Sequence, residues 1–297
     1  MRRRTLTWHV GLVWAWLILG MTMVAHGETD VGRTVRTWAN LIEQAGELGL
    51  PTGFLRDIDP GFVTVTFEDL RTYAAEYHPE DHRMILNLRL SFNNAGGALM
   101  DVDRMTHHDV SLLYHELLHA WLDYLFNGPD PGALSPRASR VLAFAREQLH
   151  CHYRFVRITP IRQRRETEMR FLSEEDAWEV LNETWAVFVG WQIWTKLEQH
   201  REAGRIGPWT DVLFEEWAAR LARANTSRAL LGYYEPDEPE ERRVAHKRFI
   251  APSNGLTPEG AALLLDVVLE EPDNVVARGK LVINDTQDTS EEKLVCD

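Results

Sequence analysis

Apolar residues recur at helical spacing from Val31 to Leu48, and a turn containing Gly49 follows. From Gly61 to Phe67 the pattern changes, and Phe62, Val63, Val65 and Phe67 read as a strand. Met84 to Phe92 reads as a second strand. There Leu86, Leu88, Leu90 and Phe92 alternate with Asn87, Arg89 and Ser91, which implies one buried face. Turn residues from Asn93 to Gly97 end it.

Beyond that point the pattern is helical. Thr106, with Asp109 three residues on, resembles a capping box. Val110, Leu113, Leu117, Trp121 and Leu125 follow on one face, and Asn127-Gly128-Pro129 stops the run. Ser135-Pro136 opens a further helix that reaches about Tyr153. Ser173 and Asp176 open a long, tryptophan-rich helix that ends near Gly204, with Glu174, Glu175 and Asp176 in its capping turn. Pro208 to Ala224 and a shorter segment from Thr257-Pro258 complete the helices. The acidic, proline-rich stretch from Tyr234 to Arg243 reads as a loop, and Lys280 to Ile283 as a strand. The pattern predicts an α+β fold, a small sheet followed by a mainly helical region, in one domain over residues 28–290 with a polar tail at 291–297.

The first residues stand apart from this pattern. Arg2, Arg3 and Arg4 precede an apolar run from Val10 to Val24, and Ala25-His26-Gly27 follows with small residues where a signal peptidase cuts. The run of roughly fifteen residues is short for a membrane span. Residues 1–27 therefore read as a signal peptide, and the mature chain as secreted or periplasmic, with no stable membrane insertion after cleavage. Removing them takes away three arginines and no acid, and moves the formal charge from −13 to −16. An acidic surface repels nucleic acid and anionic lipid. The basic cluster Arg162, Arg164 and Arg165 reads as a solvated face. In an oxidising compartment the two cysteines, Cys151 and Cys296, are able to pair and tie the tail to the body.

Candidate chemistry sits on the first capped helix, in the stretch LLYHELLHAWLDY from Leu112 to Tyr124. Residues four apart on a helix share a face, so His115 and His119 are able to aim imidazole nitrogens at one Zn²⁺. Glu116 is rotated about 100° from His115 and lies beside that point, suited to accept a proton from an attacking water. A catalytic zinc takes a third protein ligand. The long helix offers Glu183, set among Val180, Trp185, Ala186, Val187 and Phe188, where a carboxylate is costly to bury without a partner. Glu179, one turn earlier, competes for that role. His107 and His108 read as surface or cap groups. Tyr233, Tyr234 and His246 are candidates to stabilise an oxyanion.

The segment His115-Glu116-Leu117-Leu118-His119-Ala120-Trp121-Leu122-Asp123-Tyr124 resembles the active-site helix of thermolysin-like gluzincin metallopeptidases, and Asn182-Glu183-Thr184-Trp185-Ala186 resembles their Asn-Glu-x-x-Ala segment. The resemblance implies a zinc-dependent peptidase acting on peptide or protein substrates. His115, His119 and Glu183 would be its ligands and Glu116 its general base. It also implies that the strand from Met84 to Phe92 is an edge strand that pairs with an extended peptide. Val187 stands where thermolysin-like enzymes place the aspartate that orients the first histidine. That supporting role falls to Asp123, to Glu179 or to a backbone carbonyl. The competing expectation is an exported binding protein that keeps the fold without activity.

Overall fold

The computed structural model describes residues 30–287 except 72, 93–95, 129–133, 159–167 and 237. The signal peptide, the tail, the Arg162–Arg165 cluster and Cys296, with its pairing to Cys151, lie outside the described residues.

Helix α1 (Asp30–Glu47) and the short α2 (Gly53–Asp57) lead into a three-stranded sheet. The strands are β1 (Thr64–Glu68), β2 (Ala75–His78) and β3 (Arg83–Asn87), in the order β1-β3-β2. β1 runs parallel to β3, and β2 runs antiparallel to it with Tyr77 opposite Met84. The expected strand from Met84 to Phe92 is therefore shorter and central. After Asn87 the chain enters a 3₁₀ turn, Leu88–Leu90, capped by the Asn87 side chain. The edge strand that packs against the His107–Asn127 helix is β2, while the other edge, β1, packs against α1.

α3 (His107–Asn127) starts where the capping box places it, with Thr106 Oγ1 accepting the Asp109 amide at 3.1 Å. α4 (Pro136–Cys151) has Pro at its start and Ser135 as N-cap. A hairpin of β4 (Phe155–Ile158) and β5 (Glu168–Phe171) precedes α5 (Glu174–Gln199), capped by Ser173 on the Asp176 amide. α6 (Asp211–Thr226), β6 (Tyr233–Tyr234), α7 (Pro239–Val244) and β7 (Arg248–Phe249) follow. α8 (Pro258–Leu263) runs on into a π turn, Leu264–Val268, and α9 (Asp273–Thr286) ends the described chain. The expected strand at Lys280–Ile283 is thus helical, with Val275, Gly279, Val282 and Ile283 buried along one face. The α+β class stands.

α3 and α5 form the centre and run antiparallel. The Phe126 and Trp178 rings lie 4.4 Å apart at one end, and His107 Nδ1 is 2.7 Å from Glu198 Oε1 at the other. Between them Gly190 lets the backbones approach, since a Cβ there would stand 3.0 Å from the Ser111 carbonyl oxygen and 3.5 Å from His115 Cβ. Trp121 and Trp185, both fully buried, anchor the two helices in the core on their other faces, against Phe54 and Phe144 respectively. β2 lies along α3 and completes the wall beside the two histidines. Among the described residues no helix is long and apolar enough to cross a membrane.

Candidate metal and proton-transfer site

Two helices and two short strands, α3, α5, β2 and β6, meet at the site. α3 supplies His115, Glu116 and His119, whose nitrogen and oxygen atoms lie within 4.8 Å of one another. The two rings stand edge to face with centroids 4.6 Å apart, as the four-residue spacing dictates. α5 brings Glu183 across the seam. Its Oε2 lies 3.5 Å from His115 Nε2 and its Oε1 3.5 Å from His119 Nε2. Glu116 Oε1 is 3.9 Å from His115 Nε2. Glu183 therefore straddles both rings, whereas Glu116 stands to one side. All four side chains are largely withdrawn from solvent.

The donor set has the chemistry of a cation site. His119 Nδ1 hydrogen-bonds to Asn182 Oδ1 at 2.8 Å. An amide oxygen only accepts, so the ring proton sits on Nδ1 and the Nε2 lone pair faces Glu183. Glu183 Oε2 is buried and accepts no hydrogen bond, because the 3.5 Å approach of His115 is too long for one. An orphaned carboxylate oxygen beside one imidazole nitrogen, with the second imidazole at the other oxygen of the same carboxylate, is a donor set that suits a divalent cation.

The two carboxylates differ in environment. Burial works against the charge on Glu183, but His115, then His119, when their rings are protonated, and the Tyr233 hydroxyl outweigh it and hold the carboxyl at about 2. Burial pushes Glu116 up to about 7, against the pull of His119 and with Glu183 adding to the rise. One acid stays ionised as a ligand must. The other is balanced between forms, as a group that takes and returns a proton must be.

The remaining expected residues separate. Glu179 turns toward a different partner: its Oε2 accepts the Glu235 amide at 3.0 Å, and burial raises it to about 7. Asp123 does not accept from His119. It takes the Tyr77 hydroxyl, His82 Nδ1 and Asn127 Nδ2. The partner of His119 is Asn182, and the clue was there in the residue directly before Glu183. Of the three oxyanion candidates, only Tyr233 reaches the site, its hydroxyl lying against the Glu183 carboxylate. Gly232 makes that possible, since a Cβ there would lie 2.8 Å from the Thr184 backbone nitrogen. Tyr234 is buried, and His246 is exposed beside Glu235 at 3.4 Å. His107 pairs with Glu198, His108 is exposed, and Glu174 and Glu175 are exposed in the capped turn, as expected.

Tyr77 was not anticipated. Its backbone N–H, on the edge strand β2, donates to Glu116 Oε2 at 2.9 Å. Comparison with protein-family models, with curated proteins and with solved structures finds no match to this chain.

Proposed function

We propose that the chain is an exported zinc-dependent peptidase of gluzincin type. The observation that carries the reading is the Glu183 carboxylate placed 3.5 Å from Nε2 of both His115 and His119. His115, His119 and Glu183 would hold Zn²⁺. When bound, zinc polarises a carbonyl and acidifies water. The chain's own groups do the rest. Asn182 fixes the His119 tautomer. Glu116 accepts the proton of the attacking water and returns it to the departing amine. Tyr233, beside Glu183, offers a hydroxyl donor for charge that develops on the carbonyl oxygen. An extended substrate would lie along the edge strand β2, not along β3, because β3 is paired on both sides. The resemblance of the two helix segments to gluzincins and the export signal support the same reading.

The test is metal analysis of purified protein and hydrolysis of a quenched-fluorescence peptide library, with and without a chelator. Expected are one zinc per chain, cleavage that the chelator abolishes, and a Glu116→Gln variant that keeps zinc and loses at least about 10²-fold in rate. A zinc-loaded protein that cleaves nothing would favour the inactive, binding form of the same fold. A metal-free protein would end the reading altogether.

A further inference from the structure

Glu116 and Asp123 are seven residues apart on α3, two turns along one face. One residue of β2 holds both. The Tyr77 amide donates to Glu116 Oε2 at 2.9 Å, and the Tyr77 hydroxyl donates to Asp123 Oδ2 at 2.5 Å. Asp123 is 2 % exposed and is itself fixed by His82 Nδ1 at 2.7 Å on Oδ2 and by Asn127 Nδ2 at 2.8 Å on Oδ1. His82 sits in the β2–β3 turn with φ of 51°, and its ring stacks on Phe62 at 4.2 Å. A buried carboxylate with three donors converging on it is a rigid anchor.

We propose that Tyr77 is the positioning residue of Glu116: its phenol, locked on Asp123, sets the rotation of the edge strand so that its amide pins one oxygen of the base. The other oxygen, Oε1, is left facing His115 and the cation position. This inference rests on the reading of Glu116 as a general base. The argument is one of direction. An edge strand is held by ladder bonds on one side only, so its rotation about its own axis is less restrained than that of a central strand. Here the side chain and the amide of one residue contact α3 two turns apart, which removes that rotation. The amide does not hold Glu116 merely by proximity, because its aim depends on the phenol. A site residue left without such support drifts by fractions of an ångström, and a misplacement of about 1 Å costs on the order of 10²-fold in rate.

The perturbation is Tyr77→Phe, which deletes one oxygen and keeps the ring, with Asp123→Asn as the second variant should the first fold poorly. Three measurements on the full chain separate the possibilities. Hydrogen exchange of the residue 77 amide, followed by NMR without metal, is expected to speed up by at least about tenfold, as loss of a bond that restrains local opening requires. Zinc affinity, by competition with a chelator, is expected to stay within about twofold, because none of the three ligands is touched. On a peptide the wild type cleaves, kcat is expected to fall about tenfold at unchanged KM, the signature of an interaction made only in the transition state. Unchanged exchange overturns the clamp. Faster exchange with unchanged kcat overturns the positioning role and leaves Tyr77 structural. If the zinc-loaded wild type hydrolyses nothing, the peptidase reading fails on its own account, and the exchange measurement still decides whether the phenol aims the amide.

Discussion

Asn182→Ala removes the one acceptor that His119 Nδ1 has among the described residues. Two independent estimates set the size of the effect. A buried ring N–H left without a partner costs about 1–3 kcal/mol, and His119 is 8 % exposed. Loss of the group that orients a ligating histidine typically weakens metal binding about 10–100-fold, which is about 1.4–2.7 kcal/mol. The estimates overlap. Asn182 itself is only half-buried, so water takes over part of its role and the lower end applies. The expected result is a zinc Kd about tenfold higher, measured by competition with a chromophoric chelator on metal-free protein at pH 7. Asn182→Asp keeps an acceptor at the same distance and is expected to recover the affinity. An Asn182→Ala protein that binds zinc within twofold of the wild type would refute the reasoning, since the tautomer of His119 would then be set by something else.

Lys196 and Glu271 form a buried ion pair at 2.7 Å, with side chains 8 % and 2 % exposed, although the contact lacks hydrogen-bond geometry. Glu271 also accepts from Trp209 Nε1 at 2.8 Å. Lys196→Ala strands that carboxylate and is expected to cost about 3–5 kcal/mol in urea unfolding, while a loss under 1 kcal/mol would mean that the pair is hydrated. Glu168 is half-exposed and carries the opposite kind of effect. Burial is the largest single influence and raises its carboxyl, but Arg248 and Arg170 together outweigh it and hold it below the ordinary 4.5. A depressed folded value contributes stability above the ordinary carboxylate range and loses it as pH falls through the folded value. The urea midpoint of the wild type is therefore expected to exceed that of Glu168→Gln at pH 6 and to converge with it below pH 4. A difference that stays constant across that range would show that the ion pairs to Arg248 and Arg170 contribute nothing.

Local signals made the site helices readable. The Thr106 and Ser173 caps, the apolar periodicity of α3 and the four-residue spacing of His115 and His119 are short-range features, and short-range features survive folding. Glu183 was readable for a different reason, because a carboxylate in an apolar stretch requires a partner. The sheet was less legible. β2 is four residues long, with alternating burial too brief to register as a period, yet it is the strand that touches the site. The alternation past Asn87 was real in the sequence, but a 3₁₀ turn also buries Leu90 while half-covering Leu88. Lys280 to Ile283 read as a strand because a four-residue window is too short to show helical spacing, which emerges only when Val275 and Gly279 are included. Tyr77 and Asp123 were separated by 46 residues, and nothing local to either one announces the other.

The energetics of the site bear on what it is for. His115, Glu116, His119 and Glu183 have side chains only 10–16 % exposed, and they occupy the seam where Gly190 lets the α3 and α5 backbones approach. Two carboxylates withdrawn from water with no cationic side chain between them cost several kcal/mol. A purely structural seam would remove that cost by substituting apolar residues of similar volume. Nor is the polarity diffuse. Each polar atom has a defined direction: Asn182 turns His119, the Tyr77 amide holds one oxygen of Glu116, and Glu183 is left with one oxygen unmet. Polar groups held from behind in this way, with an inward-facing carboxylate oxygen unmet, suit a ligand between them. A dication would offset the repulsion between the acids and meet the orphaned oxygen together. Neither a packing helix nor a surface histidine pair explains both features, and a cation coordinated by the two imidazoles and the Glu183 carboxylate does.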